Sequence, residues 1–324
     1  MVAFAVCLGF GAWFVRFATT PMALPQSPLD VGIEPGSSMS SVSHQLAAAG
    51  IPLSPRTFTL LARLTGNTSG IKAGSYEVES GTTPWQLLKM LSRGDVTQAE
   101  LTFVEGWTFK QLRAALARHP ALNHDSEGLT EQAVLARIGA SENAAEGLFF
   151  PDTYSFAKRS SDFDLLRRAY RGMERRLSAE WERRDPEVPY ANAYQALIAA
   201  SVIEKETGLA ADRGFVASVL VNRLKNGMPL QTDPTVIYGM GERFDGDLRK
   251  SDLMRDTPYN TYTRLGLPPT PIAMPGLASI QAALRPAKTE HLYFVARGDG
   301  SSEFSRTLED HNRAVLRYQR RAVN

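Results

Sequence analysis

The sequence predicts an α+β fold: a small N-terminal module, then a mixed α/β domain, with an apolar helix ahead of both. Three observations carry this. Over residues 31–98, short amphipathic helix patterns alternate with a short period-2 strand pattern. From residue 99 to 324, longer helical patterns dominate, separated by turn-rich loops and isolated strands. Residues 1–15 are apolar or small without exception, and Arg16 closes the run.

Composition limits the classes that fit. At 324 residues, 43% apolar and 22% charged, the chain holds one large domain or two moderate ones with a real core. Its 36 basic and 34 acidic residues leave a net charge of +2, which makes no case for nucleic acid, and no groove-reading motif occurs. The basic run from Arg167 to Arg176 has helical spacing and sits near Glu174, Glu180 and Glu182, so it reads as a solvated helix face. Cys7 is the only cysteine, so no disulfide can form within one chain, and it reads as an apolar filler of the first helix.

Taken in order, residues 1–18 read as a transmembrane anchor. Fifteen apolar residues fall short of the ~20 a span needs. No basic residue precedes them, as if some upstream residues were missing. The expectation is an uncleaved, single-pass membrane anchor, with the bulk of the chain exported. Residues 19–30, rich in Pro, Ser and small side chains, read as a stalk.

In the 31–98 module, helix signals lie at Ser40–Ala49 and at Ser54–Leu64, where Pro55 suits the first helical position. A strand follows at Ala73–Glu79, with Tyr76 and Val78 alternating, and then a helix at Thr83–Ser92. The arrangement resembles a LysM-type module, a fold that binds N-acetylated glycans. An α+β adaptor without a ligand is the other reading.

The 99–324 domain opens with a strand at Glu100–Val104 and a helix from Thr108 to Arg118, followed by a polar helical stretch over 119–145. A dense cluster, Glu146-Gly-Leu-Phe-Phe-Pro-Asp-Thr-Tyr154, precedes a long helix from Phe163 to Arg184 that the Asp185-Pro186 pair ends. An apolar helix through Ala196–Ile203 carries Glu204 and Glu206, and a helix at Asp212–Asn226 stops at Gly227. Residues 228–275 read as loops. A short helix at Ser279–Leu284, a strand at His291–Ala296 and a terminal basic helix complete the chain.

The chemistry concentrates in Ala199-Ala-Ser-Val-Ile-Glu-Lys-Glu-Thr-Gly208 and in Gln231-Thr-Asp-Pro-Thr235. An acid at the end of an apolar helical stripe is partly dehydrated, which raises its pKa and suits it to give a proton near neutral pH. The second stretch gathers amide, hydroxyl and carboxylate groups at a proline-fixed turn, a lining for a polar substrate. Together they suggest a carbohydrate-cleaving enzyme. Glu204 and Glu206 stand about 200° apart around the helix, so they cannot both face one cleft. Glu206 continues the stripe Ala199, Val202, Ile203, which favours it as the acid.

Other chemistries fare worse. His44, His119, His124, His291 and His311 lack ligand spacing, so no metal is expected. Gly239-Met-Gly241 through Gly246 is not a dinucleotide fingerprint, and no Gly-x-Ser-x-Gly elbow occurs. No cofactor is expected.

Several long motifs stand in one order: the 146–154 and 200–207 segments, Val219-Leu-Val-Asn-Arg-Leu224, Leu230 through Gly241, Tyr259-Asn-Thr-Tyr262, Gly266-Leu-Pro-Pro269, Pro271 through Gly276, and His291 through Val295. In these the chain closely resembles the YceG-like family, over about Val31 to Tyr318. The resemblance implies an endolytic lytic transglycosylase that cuts the MurNAc–GlcNAc bond of nascent peptidoglycan and leaves 1,6-anhydroMurNAc ends, thereby ending glycan elongation. It maps the catalytic acid to Glu206, in agreement with the stripe. One carboxylate suffices for such a reaction, whereas ordinary glycosidases use two. Gln231, Asp233, Tyr238, Asn260 and Tyr262 are expected to bind sugar hydroxyls and N-acetyl groups or to orient Glu206; turn and core scaffolding is their other reading. The resemblance also implies the partners, namely peptidoglycan glycan strands, the inner membrane, and penicillin-binding proteins with other elongation proteins. It places the anchor as a single pass in the inner membrane, with the catalytic domain in the periplasm. Two rival readings are a non-catalytic glycan-binding scaffold and a pyridoxal-phosphate lyase on Lys205, the latter lacking a phosphate-cradling glycine loop.

Overall fold

The computed structural model describes residues 2–318, without the side chains of residues 2–7. The reading of Cys7 as an apolar filler therefore lies outside the described residues. The chain forms two compact units. The first runs to Leu101 and includes His119–His124 and Ser155–Asp162; the second takes Thr102–Arg118, Asp125–Tyr154 and everything from Phe163.

The first unit begins with α1 (Val2–Thr19), β1 (Leu29–Ile33), α2 (Met39–Ala48), α3 (Pro55–Leu64), β2 (Gly74–Val78) and α4 (Pro84–Arg93). β1 and β2 pair antiparallel, Leu29 opposite Val78 and Ile33 opposite Gly74. Local chemistry starts the helices. Ser38 caps α2 by accepting the Ser41 N–H, and Thr83 with Gln86 forms a capping box on α4. Gly94 ends α4 in the left-handed conformation. Val42, Leu46, Phe58, Tyr76, Leu87 and Leu91 are fully buried between the helices and the hairpin. Part of the expected stalk belongs to this core: Met22 is buried, and Leu24 and Leu29 pack against the same cluster.

The anchor expectation is overturned. Among the described residues, no helix is long and apolar enough to cross a membrane. The 18 residues of α1 rise only about 27 Å, short of a hydrocarbon core of ~30 Å, and Arg16 falls inside them. The far end of α1 is also occupied, since Phe14, Phe17 and Ala18 pack against the module core. The single-pass inner-membrane placement with a periplasmic domain is corrected accordingly.

The chain continues through β3 (Gln98–Thr102), α5 (Phe109–Arg118), β4 (Leu122–Asn123), α6 (Glu131–Ile138), β5 (Thr153–Ala157) and β6 (Ser160–Ser161). β3 pairs with β5, and β4 pairs parallel with β6. Two short returns thus join the first unit, which a boundary at residues 98 and 99 does not anticipate.

The rest of the second unit comprises α7 (Asp162–Glu182), α8 (Ala193–Glu206), α9 (Ala210–Lys225), α10 (Asp233–Met240), α11 (Lys250–Met254), α12 (Leu277–Leu284), β7 (Tyr293–Ala296), β8 (Ser302–Ser305) and α13 (Leu308–Tyr318). Every residue of α8 from Ala196 to Ile203 is buried, because the helix is apolar all round and α9, α10 and α12 pack on it. On α7, Arg171, Glu174 and Arg175 are exposed as expected of a solvated face. Glu180 instead turns inward and pairs with Arg285 at 2.6 Å. The stretch read as loops contains α10 and α11, which are too short to print a helical period.

Candidate active site

Glu206 is the last residue of α8, and Thr207 beyond it is already extended. On one side of the helix, loops are tied down. Ser201 Oγ accepts the N–H of Ile272 at 3.0 Å, and Glu204 Oε2 accepts the N–H of Gly276 at 3.0 Å. Gly106 donates to the Met274 carbonyl at 2.9 Å, and Met274 donates back to Trp107 at 2.7 Å. Glu105 packs so close to Gly276 that a Cβ there would collide with its carboxylate. Burial, and then the charge of Glu204, raises the pKa of Glu105. Lys205 is exposed and donates to the Gly106 carbonyl at 3.3 Å.

The other side differs. Glu206 is half-buried, yet its Oε2 is enclosed and finds no hydrogen-bond partner among the described residues. Burial first, and the charge of Asp233 second, push its pKa up to about 7. At neutral pH this carboxyl is a proton donor for part of the time.

Asp233 opens α10 beside Pro234 and is exposed. Its Oδ1 accepts the Tyr262 hydroxyl at 2.5 Å. Burial, the bond to Asp233 and the charge of Glu206 all raise the Tyr262 pKa, so the hydroxyl stays a donor. Gln231 is exposed and holds a left-handed backbone with φ +53°, uncommon for a residue with a side chain. Buried Arg223 holds that turn by donating to the carbonyls of Pro229 and Leu230 and to Gln231 Oε1 at 3.0–3.1 Å. It also donates to the Leu292 carbonyl at 2.7 Å.

The five residues expected around the acid therefore separate. Asp233 and Tyr262 form a hydrogen-bonded pair, the charge of Asp233 bears on Glu206, and Gln231 lies two residues before Asp233. Asn260 is fully buried: its amide donates to the carbonyls of Asp252, Leu253 and Arg255, and its Oδ1 accepts the N–H of Tyr262. It pins the loop. Tyr238 points to another place, donating at 3.2 Å to Glu146 Oε2. Glu146 and Arg223 went unassigned by sequence reasoning, although both sit in the ordered motifs. A buried acid inside the apolar 146–154 cluster was the available signal. Among the described residues, no group of three His, Cys, Asp or Glu side chains is arranged to hold a metal ion.

The motifs that build this geometry match the YceG-like family over residues 31–317. The chain belongs to that family. It is 32% identical over 319 residues to the endolytic murein transglycosylase of Bacillus subtilis (strain 168), covering 90% of this chain and 85% of that protein. It is 28% identical over 352 residues to the endolytic murein transglycosylase of Streptococcus pneumoniae (strain D39), covering 97% of this chain but 63% of that longer protein. The crystal structure of a YceG-like protein from Listeria monocytogenes is similar at 31% identity and a TM-score of 0.55, covering 89% of this chain and 99% of that one.

Proposed function

We propose that this protein is an endolytic murein transglycosylase that cuts the MurNAc–GlcNAc bond within peptidoglycan strands and leaves 1,6-anhydroMurNAc ends. The observation that carries the reading is Glu206, whose Oε2 is enclosed and without a hydrogen-bond partner among the described residues and whose pKa is raised to about 7, next to a polar turn. Family membership and relatives named for this activity support the substrate class.

Protonated Glu206 gives its proton to the glycosidic oxygen as the C1–O bond breaks and positive charge grows on C1. The carboxylate so formed takes the proton of the MurNAc 6-hydroxyl, whose oxygen closes onto C1. No water is consumed and Glu206 ends protonated, so a single carboxyl completes the cycle. The negative charge of Asp233 favours the protonated form of Glu206 before the reaction, and the Tyr262 hydroxyl fixes Asp233. Gln231, exposed on the same turn, is positioned to bind sugar hydroxyls or an N-acetyl group. The strand–helix–helix–strand order of the first unit supports a LysM-like role in holding N-acetylated glycan.

The test is digestion of purified sacculi, with the released muropeptides read by mass. Anhydro ends that vanish with Glu206→Gln are expected. Reducing ends in their place would make the enzyme a hydrolase, and no release at all would leave a binding scaffold.

A further inference from the structure

The second unit has a further cavity that the cleavage step leaves unused, with a volume of about 620 Å³. One wall is aromatic: Tyr238 and Tyr259, both half-buried, meet edge to face with ring centres 4.8 Å apart. Glu146 lies behind it, only 6% exposed. Its Oε1 accepts the N–H of Phe109 at 3.0 Å, and its Oε2 accepts the Tyr238 hydroxyl at 3.2 Å. Tyr259 and Thr270 add a pair of hydroxyls 2.9 Å apart.

The charged groups at this cavity are already engaged. Lys110 is paired with Glu242, and Arg113 donates to the carbonyls of Ser126 and Leu129. Glu131 accepts the N–H of Ala145 at 2.5 Å. What the wall still offers is aromatic face and hydroxyls, since both oxygens of the Glu146 carboxyl are taken by Phe109 and Tyr238. Such hydroxyls both give and accept hydrogen bonds, as a sugar hydroxyl does. The chemistry suits a neutral polyhydroxylated ring better than a charged peptide.

Two elements join this cavity to the acid. α10 carries Asp233 at its start and Tyr238 five residues on, about 7.5 Å along the axis. The turn pinned by Asn260 carries Tyr259 on one side and Tyr262 on the other. We infer that the cavity is a subsite for a sugar ring of the glycan strand beyond the linkage cut at Glu206, an inference that rests on the proposed activity.

The test compares full-length protein with Tyr259→Ala on two substrates: long glycan strands stripped of stem peptides, and the shortest oligosaccharide that is still cleaved. Tyr259→Ala is expected to raise KM for long strands roughly tenfold, with kcat nearly unchanged and the short substrate unaffected. Binding of the stripped strands to Glu206→Gln protein should weaken by a similar factor when Tyr259→Ala is added. That arm needs no turnover, so it separates failure of the subsite from failure of the activity. Where Tyr259→Ala does not fold, Glu146→Gln keeps the side-chain shape and should weaken long-strand binding several-fold. Equal losses on both substrates, no loss on either, or competition by free stem peptide but not by stripped glycan would overturn the subsite.

Discussion

Glu204 and Glu206 lie two residues apart at the end of α8 and are held in opposite states. Glu204 Oε2 accepts the N–H of Gly276 at 3.0 Å, whereas Glu206 Oε2 is enclosed without a partner among the described residues. A helix turns about 200° over two residues, so one carboxylate braces a loop while the other faces Asp233 and Tyr262.

That division predicts unequal mutants. Glu206→Gln should fold and lose ~10²- to 10⁴-fold in the rate of anhydro-end formation, because the amide has no acidic proton. Glu204→Gln should keep most activity, since its amide oxygen can still accept from Gly276. Reversed results in one digestion assay would assign the acid to Glu204.

Activity and stability should both fall as pH rises through neutrality. Glu206 must be protonated to act, so kcat should drop about tenfold per pH unit well above about 7. For stability, the folded-state pKa of Glu206 and of Glu146 is raised to about 7 from an ordinary 4.5. The folded chain therefore holds protons that the unfolded chain releases. The contribution is fully present below about 4.5 and is lost as pH rises to about 7. Thermal unfolding across this range should show the decline, and Glu206→Gln and Glu146→Gln should each flatten it.

Asp233→Asn should shift the alkaline limb of the rate profile to lower pH. Removing the negative charge takes away one cause of the raised Glu206 pKa, so less of the acid is protonated at pH 8 than in the wild type. The loss should be several-fold larger at pH 8 than at pH 6. An unshifted limb would confine Asp233 to substrate binding.

Arg223→Met should destabilise the protein by about 3 kcal/mol, read from urea unfolding, because four acceptors lose a charged donor in a buried place. The left-handed turn at Gln231 depends on that donor, so kcat should fall in the fraction that remains folded.

Much of this fold was legible along the chain. Ser38, Thr83 and the Pro residues at helix starts are local signals, and the helices they announce, α2, α3 and α4, follow. The stripe ending at Glu206 is likewise a property of α8 alone. The Leu29–Ile33 strand was not legible, since five residues interrupted by Gly32 are short of any pattern and pair with a partner more than forty residues on.

The α8 acids, their opposite faces and the ordered motifs that bring the chain into its family can all be read along the chain. Which groups surround each acid emerges only on folding. Gly276 reaches Glu204 across 72 positions, and Tyr238 reaches Glu146 across 92. Folding also placed one face of the last turns of α1, with Phe14, Phe17 and Ala18, against the chain's own core. Range separates the two. Periodicity, capping and hydropathy act within a few residues, whereas desolvation and pairing depend on whatever the folded chain places alongside.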